Sequence, residues 1–369
     1  MRIGVDVRCL MNGNYSGVSW YAYYLLNNLF ELDQANQYIL FYNSSKKVRL
    51  PEFNFANVSW RGCRYPNKIF NASLMIFNRP RIDRLLGGVD VFFTPNLHFI
   101  ALSDKCQKVM AVHDLSFIRY PQFFTIKMRW WHRLILWKNI LGRADIIVAD
   151  SQSTKNDLIS LLGIAQEKIK VVYLGVENKY GENISAEQLA SVKQKYHLPE
   201  KFILTLGALE PRKNLAGVIA AYKSLNTDIA LVIAGSGGWK NKSLRRSAID
   251  DKRINFIGYV DEADKPALYR SASLLIYPSF YEGFGLPILE AMASGCPVIC
   301  GNNSSQGEIA TDAALLVNPY NTNEIKTAME ALLSDDLLRQ RLVEKGRVRA
   351  QQFSWKKTAQ KMMEIFESV

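Results

Sequence analysis

Two carboxylates, Glu282 and Glu290, bracket the turn Gly283-Phe284-Gly285 in the stretch SFYEGFGLPILEAMASGCP, residues 279–297. The glycines let backbone N–H groups come close to a ligand, and Pro287 suits the first turn of a helix. A helix start offers free N–H groups and a partial positive charge, the ordinary setting for a phosphate. Carboxylates would repel a bare phosphate, yet they accept hydrogen bonds from sugar hydroxyls. The combination asks for a ligand that is both phosphorylated and sugar-rich, as a nucleotide sugar is. The plainer alternative is a loop acid and a helix acid that only favour the helix dipole. It serves for each acid taken alone and less well for the two as one constellation.

Such residues need a scaffold, and the chain supplies alternating β-rich and helix-period segments. Candidate strands in the first half are 2–8, 38–43, 89–95, 108–115, 145–151 and 169–175; in the second half they are 201–208, 229–235, 253–260, 272–279, 296–302 and 314–319. Between the first two lies GVSWYAYYLLNNLF, in which Val18, Tyr21, Ala22, Leu25, Leu26 and Leu29 keep helical spacing. Alternation of this kind predicts parallel sheets covered by helices. The polar stretch 176–200 reads as the region between two doubly wound α/β domains, and SWKKTAQKMMEIFESV as a helical tail. In open parallel sheets ligands bind at the carboxyl ends of strands, so function belongs in the strand-to-helix loops of both halves, across a cleft.

The 369 residues are 48% hydrophobic, enough for two ordinary cores, and carry a net charge of +12, which suits an acidic partner. Five cysteines, Cys9, Cys63, Cys106, Cys296 and Cys300, are scattered without zinc-type pairs and read as packing residues in a reducing compartment. The start MRIGVDVRCLMNG has too short an apolar run for a signal peptide, and nothing approaches the roughly 18 uninterrupted apolar residues of a spanning helix. A cytoplasmic protein is expected. One segment, residues 121–145, suits a membrane surface. Ile126, Trp130, Leu134, Trp137 and Leu141 fall on one helical face, read as the core side, while Lys127, Trp131, Ile135 and Lys138 form a basic, tryptophan-bearing face toward anionic lipid. A helix packed on both sides is the alternative. AGSGGW, residues 234–239, imitates part of a dinucleotide fingerprint but lacks its full glycine spacing, and no nucleic-acid motif is present.

YEGFGLPILEAMASGCPVI resembles the Glu, seven residues, Glu signature of retaining glycosyltransferases of the GT4 family, which have the GT-B fold of two facing Rossmann-like domains. GALEPRKNLAGVIAAY, LVIAGSGGW, FIGYV, ALYRSASLLIYPS and AALLVNP follow the same pattern in order; GVSWYAYYLL, VHDLSF and ADIIVADSQST extend it more loosely to the first half. The resemblance implies an acceptor-binding domain at 1–178, with helix 355–369 packing back on it, and a nucleotide-sugar domain at 179–354. It implies that Arg212 and Lys213 clamp a diphosphate, where otherwise they would be solvated surface charge. Glu282, with Gly283, Phe284, Gly285 and Leu286, would grip the donor sugar, and Glu290 the ribose hydroxyls. Gly17 would let a helix start approach the diphosphate. His113 would hydrogen-bond the sugar or act beside the anomeric carbon, with Asp114 orienting its loop; a core histidine and an ordinary loop glycine are the alternatives. The family pattern commonly has proline where Gly307 stands and glycine where Thr311 stands, in a loop near the nucleotide base.

The resemblance thus implies a retaining, metal-independent hexosyltransferase: the sequence has no Asp-x-Asp pair to hold a divalent ion, and no cofactor is expected beyond the donor itself. The EPRKN form of the phosphate loop resembles mannosyltransferases, which puts GDP-mannose first as donor and a UDP-hexose such as UDP-glucose second. The partner is a glycan or lipid-linked glycan acceptor, without nucleic acid and with peripheral contact to anionic membrane. The rival readings are a phosphorylase or epimerase on the same scaffold, and a non-catalytic subunit.

Overall fold

The computed structural model describes all residues except 12, 14, 16, 136, 236, 240–243, 245, 247 and 249, together with the side chain of Leu134. The chain forms two compact units: Met1–Leu115 with Ile135–Gly175 and Trp355–Val369, and Ser116–Leu134 with Val176–Ser354.

In the first unit, strands β1 (Arg2–Asp6), β2 (Gln37–Asn43), β3 (Val58–Cys63), β4 (Val91–Thr94), β5 (Gln107–Val112), β6 (Ile146–Ala149) and β7 (Ile169–Val171) form one sheet in the order β3-β2-β1-β4-β5-β6-β7. Every pairing is parallel. Strands such as β4 and β6 are buried along their whole length because helices cover both faces. Strand β3 is absent from the sequence-based set. It lies at the sheet edge, its sequence VSWRGC is half polar, and it presents no apolar run. The final helix, Trp355–Glu367, lies on the Gly17–Leu32 helix, with Trp355 against Tyr21 and Tyr24 and the Thr358 hydroxyl donating to the Tyr173 carbonyl.

The second unit holds β8 (Phe202–Leu206), β9 (Ala230–Ala234), β10 (Ile254–Gly258), β11 (Leu274–Tyr277), β12 (Val298–Gly301) and β13 (Leu315–Val317) in the order β10-β9-β8-β11-β12-β13, again all parallel. Strand order reverses between β8 and β11. The carboxyl ends of these two strands are therefore the topological switch point, where an open parallel sheet ordinarily binds its ligand. Ser116–Leu134 packs on this unit: Phe123 stacks on Phe280, Tyr120 meets Tyr281, and the Trp239 indole donates to the Phe123 carbonyl.

The AGSGGW stretch has a packing reason, although residue 236 lies outside the described residues. A side chain on Gly235 or Gly238 would strike the carbonyl oxygens of Gly207 and Leu209, so these glycines let the loop after β9 lie against the loop after β8.

The segment 121–145 departs from its expected phase. It is two helices, Ile126–Leu134 and Trp137–Gly142, and the break between them resets the helical periodicity. Ile126 and Trp130, expected on the core side, are 72% and 61% exposed, while Ile135, expected toward lipid, is buried. Leu134, expected on the core side, lies outside the described side chains. No helix among the described residues is long and apolar enough to cross a membrane.

Candidate active site

Loops on either side of the β8–β11 reversal carry Arg212, Lys213 and Glu282 to one place. After β8 the chain forms a short 3-10 turn, Pro211–Lys213, that ends in Asn214 with a left-handed φ of 55°. The Asn214 amide is buried and donates to the carbonyls of Pro278 (3.2 Å) and Pro319 (2.6 Å), tying this turn to the loops after β11 and β13. The Phe280 N–H completes the join by donating to the Arg212 carbonyl at 2.9 Å.

On this frame Arg212 Nη1 donates to Glu282 Oε2 at 2.7 Å and to the Tyr281 carbonyl at 2.9 Å, and Lys213 Nζ donates to Glu282 Oε1 at 2.7 Å. Lys213 also donates to the Tyr277 hydroxyl, and Glu210 stands 3.5 Å from Arg212 Nη2. One carboxylate thus holds two cations, a fork on one oxygen and a point charge on the other. Burial by itself would raise the Glu282 carboxyl, but Arg212 and Lys213 overcome this and bring it from 4.5 to about 2. Burial pulls the Lys213 ammonium below its ordinary value, against the attraction of Glu282.

Polar side chains after β12 hold the Glu282 loop in shape. Ser304 Oγ accepts from the Glu282 N–H at 3.1 Å, and the single Ser305 hydroxyl hydrogen is shared between the carbonyls of Glu282 (2.9 Å) and Phe284 (2.8 Å). Gln306 bonds both the N–H and the carbonyl of Ser279. Gly285, at φ 103°, turns the chain into the Leu286–Ala293 helix, where Leu286 is the first residue and Pro287 the second. The Phe284 side chain faces inward against Phe353. The structure therefore gathers Arg212, Lys213, Glu282 and the Gly283–Leu286 backbone.

Glu290 sits on the same helix with a different partner. Its Oε2 accepts from the Tyr269 hydroxyl at 2.8 Å, and its charge helps raise the Lys265 ammonium against the effect of burial. Tyr277 lies within electrostatic reach of both acids, because Glu282 and Glu290 each raise its hydroxyl beyond what burial does.

In the first unit, His113 follows β5 with both ring nitrogens engaged. Nδ1 lies 2.6 Å from Asp150 Oδ2 and Nε2 lies 2.8 Å from the Pro95 carbonyl. A carbonyl and a carboxylate both accept, so this geometry favours the doubly protonated imidazolium, although burial also raises the Asp150 carboxyl. Burial disfavours that form, and Asp150 restores it with a net raised value. A sugar contact through this ring would require one of these bonds to be given up. Asp114 is the next residue, and its charge adds to the field that favours the imidazolium. Gly17 begins the Gly17–Leu32 helix, whose first turn has no acid, and the space beside its Cα is open.

Asn214, Tyr269, Tyr277, Ser304, Ser305, Gln306 and Asp150 are missing from the sequence-based site. Tyr277 at the end of a strand and Tyr269 within a helix both read as core, and none of these polar residues reveals its partner through local spacing.

The departure at Thr311 has a conformational counterpart. It adopts φ 48° and ψ −125°, a backbone state suited to the glycine commonly found there in the family pattern. Such strain costs on the order of 1–3 kcal/mol, of which the looser unfolded chain of a glycine variant offsets part. Thr311→Gly is expected to stabilise by about 1 kcal/mol in urea unfolding; a loss of stability would mean that Thr311 is not strained. Gly307 is not crowded in the same way: a Cβ there would stand at ordinary contact distance, 3.4 Å, from the Asn302 carbonyl.

Two family profiles match the chain: Glycosyltransferase Family 4 over residues 15–179 and Glycosyl transferases group 1 over residues 188–349. The O-antigen chain mannosyltransferase B of Escherichia coli is 32% identical over 274 residues, covering 72% of this chain and 71% of that protein. The serotype-specific mannosyltransferase WbdA of Escherichia coli is 32% identical over 238 residues; the match covers 61% of this chain and 29% of that longer protein. Among solved structures, sucrose-phosphate synthase from Thermosynechococcus elongatus superposes with a TM-score of 0.77 at 20% identity, covering 100% of this chain and 98% of that one. Anabaena Alr3699/HepE in complex with UDP-glucose gives 0.74 at 18% identity, with both chains fully covered. The fold is thus that of the GT-B transferases, two parallel-sheet Rossmann-like units. This chain belongs to the group 1, family 4 glycosyltransferases and is an enzyme of that class.

Proposed function

We propose that this glycosyltransferase moves mannose from GDP-mannose to a hydroxyl of a glycan or lipid-linked glycan, with retention of anomeric configuration. The observation that carries the reading is the pair Arg212 and Lys213, positioned at a topological switch point and held by Glu282. As the bond between the anomeric carbon and the phosphate oxygen breaks, negative charge grows on the diphosphate, and two fixed cations lower the energy of that state. The acceptor oxygen bonds the anomeric carbon on the same face, and its proton passes to the departing phosphate oxygen. Arg212 and Lys213 supply the charge that a divalent ion supplies in metal-dependent transferases. Glu282, relieved of part of its hold on the cations, takes sugar hydroxyls, and Glu290 takes those of the ribose. Gly17 is assigned to the diphosphate and His113 to the sugar. The enzyme works at the cytoplasmic face of a membrane that presents its acceptor.

Mannose rests on the named mannosyltransferase relatives at 32% identity. A UDP-glucose donor is the second reading, favoured by the fold neighbour crystallised with that ligand. Thermal shifts with GDP, UDP, ADP and their sugars separate the two, because preferential binding raises apparent stability by mass action. The largest shift is expected with GDP-mannose; a shift confined to UDP-sugars would replace the donor assignment, and no shift with any nucleotide would end the reading.

A further inference from the structure

The Asn67–Phe77 helix of the first unit has one face in the core and one that no described residue covers. Phe70 and Leu74, four residues apart, pack with Ile39, Phe41, Ile82, Leu86 and Phe92. Ile69, Met75 and Ile76, turned away from that core side, and Phe77 at the helix end are 68%, 52%, 64% and 70% exposed. Four large apolar side chains this open on one short helix are more than scattered surface residues. Tyr65, half exposed and stacked on Phe70, extends the patch at its start.

The charge around the helix is one-sided. Residues 61–84 contain Arg61, Arg64, Lys68, Arg79, Arg81 and Arg84 against a single acid, Asp83. Asp83 is buried and accepts from the Ser103 N–H, so it does not screen the surface cations, and Arg81 is turned inward to the Leu102 carbonyl. Arg61, Arg64, Lys68, Arg79 and Arg84 remain exposed. Apolar side chains that enter the acyl boundary, bracketed by cations that meet headgroup phosphates, are the chemistry of a helix lying in an anionic lipid surface. The helix has 11 residues, too few to span, so it lies on the bilayer.

We infer that Asn67–Phe77 docks the enzyme on an anionic membrane surface, with Ile69, Met75, Ile76 and Phe77 inserted and the flanking arginines and Lys68 at the headgroups. This deepens the proposed function, on whose membrane-side acceptor it rests, and moves the expected lipid contact from residues 121–145 to this helix.

The test is flotation of the full chain with vesicles of phosphatidylcholine alone or containing phosphatidylglycerol. Wild type is expected to float with the anionic vesicles and not with phosphatidylcholine. Ile76→Ser with Phe77→Ser, which leaves the charge unchanged, should reduce the bound fraction at least tenfold, and Arg64→Ser with Arg79→Ser should do the same. Ile126→Ser with Trp130→Ser should leave it unchanged. Wild type that stays in solution, an apolar double variant that floats like wild type, or loss only in the Ile126/Trp130 variant would each overturn the inference. So would a wild-type dimer in sedimentation that the Ile76/Phe77 variant converts to monomer, since a second copy would then cover the face. Transfer to a soluble glycan reports separately on the proposed function: the Ile76/Phe77 and Arg64/Arg79 variants should retain it, and failure of wild type to transfer would count against that function and not against docking.

Discussion

Arg212→Ala should lower turnover by about 10²–10³-fold, the range found when one preorganised donor to a developing anion is removed. Affinity for the nucleoside diphosphate should fall much less. In the free enzyme Arg212 is committed to Glu282 and the Tyr281 carbonyl, so ground-state binding of a diphosphate requires exchange of one partner for another. The gain from the guanidinium is therefore largest where negative charge is largest, in the departing diphosphate. Steady-state kinetics with a saturating donor, alongside titration of the diphosphate, separate the two effects. Equal turnover in the variant, or a loss confined to KM, would remove Arg212 from its assigned role.

Glu282→Gln should act in opposite directions on binding and on chemistry. The carboxylate satisfies a guanidinium and an ammonium at 2.7 Å each, and a neutral amide leaves two neighbouring cations with only Glu210, 3.5 Å from Arg212, as a nearby counterion. Removing one member of a buried ionic cluster typically costs about 3–5 kcal/mol when the remaining charge is uncompensated. A bound diphosphate restores that compensation. The variant should therefore be less stable when free, bind the nucleoside diphosphate more tightly, and transfer sugar at least tenfold more slowly because its grip on the donor hydroxyls is weakened. Acid unfolding gives a second readout. A carboxyl held at about 2 instead of 4.5 contributes stability that is complete above pH 4.5 and fades as pH falls toward 2. That contribution is on the order of 3 kcal/mol, and the variant should lack this part of the pH dependence. Weaker diphosphate binding, or an unchanged acid profile, would show that Glu282 does not hold the cations.

The parallel sheets were legible because strands buried on both faces read as apolar runs; FILTL, ALVIA and LLIY hardly admit another reading. Strand β3 escaped because its position at the edge, and not an apolar sequence, defines it. The helix near residue 130 escaped for a different reason: periodicity was carried across a break, and a phase error of a residue or two exchanges core for surface. The chemistry-bearing loops could be located from glycines, charges and the resemblance. Their connections could not. Glu282 lies about seventy residues from Arg212, and nothing near either one says that they pair. His113 and Asp150 are also far apart in the chain, and the charge on the imidazole becomes evident only once Asp150 and the Pro95 carbonyl are placed beside it. The exposed face of Asn67–Phe77 is likewise invisible in sequence, since Ile69 and Ile76 look no different from the buried Phe70 and Leu74 until the core is assembled.

The central claim is that Arg212 and Lys213 meet the phosphate charge of an activated sugar while Glu282 turns to hydroxyls. A crystal structure with a bound nucleoside diphosphate and sugar examines it directly. Diphosphate oxygens should lie within hydrogen-bond distance of both cations, with at least one Glu282 oxygen moved from its cation to a sugar hydroxyl. A ligand bound elsewhere, with the Arg212–Glu282–Lys213 cluster intact, would contradict it.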